Sequence, residues 1–145
     1  MQVEASAVLP VGPERAWAFA LRWEDQPRWI RDAVWVRVVT PERDGVGARI
    51  EVRNRVLYVS LFTEQLEVTA WNPPRRVEMR HLGFVRGVGT WWFEPDVTGT
   101  RFTWTEELSL PIPFLGEVAL WVYRPFMRRL MRSGLANLQR LLDAT

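Results

Sequence analysis

Residues 89–106 form the stretch that most restricts the fold. Asp96-Val97-Thr98-Gly99 is a turn, and the runs on either side alternate aromatic and other residues. If Pro95 faces Thr100 across this turn, then Phe93 faces Phe102, Trp91 faces Trp104, and Gly89 faces Glu106. Aromatics then meet aromatics on one face, each cross-strand pair contributing roughly 0.2–1 kcal/mol. The consistency of that pairing predicts a buried face, with Trp92 and Thr103 pointing away. It also turns Glu106 inward, which makes this carboxylate the most informative polar residue in the chain.

A buried sheet face needs a cover, and the last thirty residues provide one. Leu120, Tyr123, Met127, Leu130, Met131, Gly134, Leu138 and Leu141 fall on one helical stripe, while Arg128, Arg129, Arg132, Gln139 and Arg140 fall opposite. Pro125 deletes a helix hydrogen bond and is expected to kink this helix or to mark its true start. The apolar residues 114–121 before it would then be a lid or a separate turn.

The chain begins with an alternating strand at residues 2–9, with Val3, Ala5, Ala7 and Leu9 on one face. Pro13 opens a short helix, with Glu14 at its positive end. Residues 23–29 suggest a second short helix, interrupted around Pro27. Six strands are expected next, over residues 34–40, 48–53, 56–71, 76–82, 85–94 and 100–110, with a bulge in the long third one. Short connections make them sequential antiparallel neighbours. One domain over residues 1–145 accommodates all of this.

Composition removes several chemistries. The absence of Cys excludes disulfides, thiol nucleophiles and Cys-based zinc sites. All nineteen basic residues are Arg, so Schiff-base chemistry and a Walker-type phosphate loop are excluded as well. With one His and no Cys, no metal site and no cofactor are expected. No apolar run approaches the ~20 residues of a membrane span, and no signal peptide is visible, so a cytoplasmic setting is expected. The helix arginines read as a solvated face with salt bridges to sheet acids. That argues against a nucleic-acid partner and leaves membrane contact open but not indicated.

Several segments resemble one family. They are residues 9–17 from Leu9-Pro10 to Ala16-Trp17 with the later Trp29, Gly45-Val46-Gly47-Ala48, Val68-Thr69-Ala70-Trp71-Asn72-Pro73-Pro74-Arg75-Arg76, and Gly89-Thr90-Trp91 with Gly99-Thr100-Arg101. Their order and spacing resemble the START-like, Bet v 1-like (SRPBCC) superfamily, in its bacterial polyketide cyclase/dehydratase-like branch. The resemblance implies an α+β helix-grip fold. A curved seven-stranded antiparallel sheet would carry two short helices after strand 1 and grip the C-terminal helix on its concave face, with a cavity between them. It implies no particular activity, because family members include lipid and hormone binders as well as aromatases.

Two residues are candidates for chemistry. His81, the only histidine, shares the inward face of Val77 and Met79 and suits acid–base work near neutral pH. Its plainer role is a strand-end histidine bonded to backbone or water. Glu106 could orient a ligand hydroxyl, transfer a proton, or form a structural pair with an Arg. A three-residue loop at residues 82–84 would set Val77 opposite Gly89 and place His81 four residues from the level of Glu106. The gap is then about 13 Å along the strand plus two spacings of about 5 Å, too far for a dyad.

The sequence therefore predicts a protein that binds a small or medium apolar ligand between sheet and helix. The expected lining is Met79, His81, Trp91, Phe93, Phe102, Trp104, Glu106, Tyr123, Met127, Leu130 and Met131. A cyclase or dehydratase acting on a polyketide-like or other aromatic substrate is the alternative, and a protein- or membrane-interaction module using the Arg face is the third. The oligomeric state is left open.

Overall fold

The computed structural model describes residues 1–56 and 59–144, with backbone alone at 60 and 61. Seven strands form one antiparallel sheet: β1 (Gln2–Leu9), β2 (Ala33–Val38), β3 (Arg49–Val56), β4 (Val59–Asn72), β5 (Arg76–Leu82), β6 (Arg86–Asp96) and β7 (Gly99–Ser109). Their order is β1-β7-β6-β5-β4-β3-β2, so the consecutive strands after β1 are neighbours, and β1 closes against β7. Helix α1 (Pro13–Ala20) and a 3-10 helix (Trp23–Arg28) follow β1, and α2 (Leu115–Asp143) ends the chain. The sheet curls into a half-barrel around α2, which is the helix-grip arrangement.

The β6–β7 register is the one read from the turn. Trp91 faces Trp104, Phe93 faces Phe102, Gly89 faces Glu106 and Pro95 faces Thr100. The predicted bulge in β4 lies between Val68 and Ala70. The expected start of that strand includes Leu57 and Tyr58, which lie outside the described residues.

Three expectations need correction. The loop between β5 and β6 sets His81 opposite Gly87, Met79 opposite Gly89 and Val77 opposite Trp91. The pairing is thus shifted by two residues from the one expected. Second, α2 runs through Pro125 without a break from Leu115, so Pro125 does not mark its start, and residues 115–121 are its first turns. Third, none of the ion pairs among the described residues joins an α2 arginine to a sheet acid. Arg124 Nε instead donates to the carbonyl of Gln2 at 2.6 Å.

The helix packs unevenly. Met131, Gly134, Leu135, Leu138 and Leu142 bury its C-terminal half, whereas only Gly116 and Leu120 are buried before Met131. Leu135 and Leu142 take inner positions absent from the expected stripe, and Leu141 is half-buried. Beneath the buried half the aromatics interlock. Trp29 lies 5.3 Å from Trp91 and 6.1 Å from Phe102, and Phe93 lies 4.9 Å from Phe102. Gln139 Nε2, donating to the Val8 carbonyl at 2.9 Å, ties this half of α2 to β1.

Candidate functional site

Under the loosely packed half of α2 the sheet and helix line a half-open cavity of about 420 Å³. Most of its wall is apolar, including Val36, Val52, Phe62, Leu66, Leu108 and Leu120. Of the expected lining residues, Met79, His81, Trp91, Trp104, Glu106, Tyr123, Met127, Leu130 and Met131 face it. Phe93 and Phe102 do not: both are fully buried and belong to the solid aromatic end of the core. Their inward parity was read correctly, but parity does not say how far along a strand the packing stays closed.

Three polar residues of the cavity meet from three strands. His81 on β5 lies between two carboxylates, Nδ1 3.2 Å from Glu64 Oε2 and Nε2 3.0 Å from Glu106 Oε2. Trp104 Nε1 donates to the other oxygen of Glu106 at 3.0 Å. The expectation that His81 and Glu106 lie too far apart is therefore overturned. With the observed register Glu106 is level with Met79, one inward position from His81. The intervening strand also has no side chain in the way, because its inward positions there are Gly87 and Gly89.

The two glycines keep this space clear in different ways. A Cβ on Gly89 would sit 2.7 Å from Glu106 Oε1, in the space the carboxylate occupies. Gly87 has φ of 135°, and a Cβ there would overlap the Glu107 carbonyl oxygen. The pair opens a lane across β6 through which the imidazole reaches Glu106.

Burial alone would push His81 toward neutrality. Hydrogen bonds to Glu106 and Glu64, with their negative charges, outweigh it and hold the imidazolium up to about 10. At neutral pH both ring N–H groups accordingly donate. The cation expected beside Glu106 is thus His81 rather than an Arg.

Two acidic residues of the cavity were not anticipated. Glu64 follows the inward parity of Leu66 and Val68, a signal present in the sequence. Asp32 sits just before β2, outside any alternating run. Desolvation by burial, opposed by a backbone hydrogen bond and aided by the charges of Glu64 and Glu106, pushes the Asp32 carboxyl up to about 6. Tyr123 on α2 is raised too, by burial and by Asp32. Buried Asn54 and the exposed Arg55 complete this part of the wall. No group of three or more His, Asp or Glu among the described residues is arranged to hold a metal ion. No helix among them is long and apolar enough to cross a membrane.

A curled sheet gripping a long helix over an internal cavity places the chain in the helix-grip class. Residues 1–143 match the family described as polyketide cyclase / dehydrase and lipid transport, and the chain belongs to that family. It is 29% identical to an uncharacterised protein of Mycobacterium tuberculosis over 143 residues, covering 94% of this chain and 81% of that one. Its fold is similar to that of a Thermus thermophilus protein, with TM-score 0.81 and 24% identity over 99% of this chain and 98% of the other. It is also similar to the di-domain ARO/CYC protein BexL of the BE-7585A biosynthetic pathway, with TM-score 0.75 and 17% identity. That match covers 99% of this chain but 46% of BexL. These structural likenesses define the fold alone.

Proposed function

We propose that this chain binds a small or medium apolar molecule, of lipid, aromatic or polyketide-like character, in the cavity between sheet and α2. The observation that carries the reading is the cavity itself, about 420 Å³ and largely apolar, with a hydrogen-bonded polar group, His81 with Glu64 and Glu106, in its lining. That volume lies within the range of roughly 300–1,000 Å³ usual for small-molecule pockets. Apolar burial drives binding, and the His81–Glu64–Glu106 group orients a polar end. Native mass spectrometry of the purified protein and calorimetric titration with a neutral naphthyl alcohol test it. A bound species or a saturable isotherm is expected; a folded protein that retains nothing and takes up no probe overturns the reading.

A second reading is a cyclase or dehydratase on a related substrate. The contact of His81 with two carboxylates favours it by supplying an acid–base group where the sequence suggested none. Against it, an imidazolium held near 10 with both N–H groups engaged is a poor base at neutral pH. An activity screen on Glu106→Gln and His81→Ala separates the two readings. Turnover that both substitutions leave unchanged removes the enzymatic one.

A further inference from the structure

The hydrogen-bonding state of the cavity indicates which head group it accepts. The donors deep in the cavity are already engaged: both ring N–H groups of His81 serve Glu64 and Glu106, and the Trp104 indole N–H serves Glu106. What remains unfilled is acceptor capacity on the carboxylates. Asp32 stands out among them. It is half-buried, it lines the cavity, and no other described side chain bonds it; its carboxyl takes a hydrogen bond only from its own backbone.

The charged groups facing the space are Asp32 ahead of β2, Glu64 on β4, His81 on β5, Glu106 on β7 and Arg55 at the exposed end of β3; Tyr123 faces it from α2. Three carboxylates thus oppose one imidazolium and one guanidinium, and no ion pair joins Arg55 to Asp32. A ligand carboxylate or phosphate would add repulsion with three carboxylates, and the one cation left to it, Arg55, stands at the exposed rim rather than among them. A hydroxyl would satisfy one acceptor. An ammonium would satisfy it and also relieve the repulsion among the carboxylates, with the Trp91, Trp104 and Tyr123 rings available to a cation.

We propose that the cavity selects an organic amine, an apolar body whose ammonium is seated on Asp32 with Glu64 and Glu106 behind it. This rests on the cavity being a binding site, and the experiment separates the two claims. Three probes sharing one naphthyl body, 2-(1-naphthyl)ethylamine, 1-naphthaleneethanol and 1-naphthylacetate, are titrated calorimetrically at pH 7.5 and pH 5. At pH 7.5 the amine binds about tenfold or more tightly than the carboxylate, as expected for one hydrogen-bonded buried charge. The amine also binds more tightly than the alcohol. Its advantage shrinks at pH 5, where Asp32 is protonated, and the amine-to-alcohol ratio falls toward one in Asp32→Asn. Binding of the alcohol with no preference for the amine overturns the head-group claim while leaving the cavity reading intact. Equal amine preference at both pH values does the same, even if Asp32→Asn fails to fold. If none of the three binds, the cavity reading fails and this inference falls with it.

Discussion

Along the inner face of β6 and β7, Phe93 with Phe102 makes one end, Gly87 and Gly89 with Glu106 and Leu108 make the other, and Trp91 with Trp104 stands between them, facing the cavity. The strands and the alternation are the same. At the first end rings fill the space to the helix, with Trp17 and Trp29 wedged between them. At the second, two glycines leave a lane that a charged network occupies, and the helix above keeps its distance. Close packing and an internal cavity thus adjoin on one sheet. The difference lies in the residues at inward positions, not in the strands that carry them.

Substitutions at the two ends should differ most in size. Phe102→Ala removes a fully buried ring and is expected to cost about 3–5 kcal/mol in chemical denaturation. Leu130→Ala, on the half-buried cavity wall, should cost only about 1 kcal/mol, since it removes partial burial and enlarges an existing space. Equal costs would dissolve the contrast.

His81→Leu should cost roughly 2–4 kcal/mol at neutral pH, because it leaves two enclosed carboxylates without their cation. The pH dependence has a definite sign. The folded pKa of His81 lies above its unfolded value, so its stabilisation is complete below about 6.5, declines as pH rises, and is gone above about 10. A pH series of melting temperatures should show that decline in the natural chain and not in the variant.

Gly89→Ala should cost about 1–3 kcal/mol, since the added methyl meets the Glu106 carboxylate and must displace it. A nitrogen-detected NMR titration should find the His81 pKa lowered in this variant, and an unchanged value would show that the lane is not needed.

Asp32→Asn runs the other way. The folded pKa of Asp32 is raised, so ionisation makes it a net burden as pH climbs through about 4 to 6. The amide should therefore stabilise the protein by roughly 1–2 kcal/mol at pH 7.5, with the gain vanishing near pH 4.

The solid end was legible in the sequence because it rests on a short turn and matched aromatics, and an error of one residue would have turned every ring outward. The polar wall was less so. A slip of two residues between β5 and β6 keeps each side chain on its face, so inward parity could not detect it, yet it moved His81 away from Glu106. Glu64 was obscured by the β4 bulge, which reverses parity between Val68 and Trp71. Counted back from Trp71, Glu64 points outward; counted from Val68, inward. Asp32 belongs to no periodic element, and only the packed structure brings it to the cavity.

The central claim is that one end of this core is filled and the other receives a ligand. Titration of the isotopically labelled protein with 1-naphthaleneethanol, followed through the indole N–H signals, tests it most directly. The account predicts that the Trp91 and Trp104 signals move with saturation while those of Trp17 and Trp23 stay in place. Equal movement at both ends, or none at Trp91 and Trp104, would contradict it.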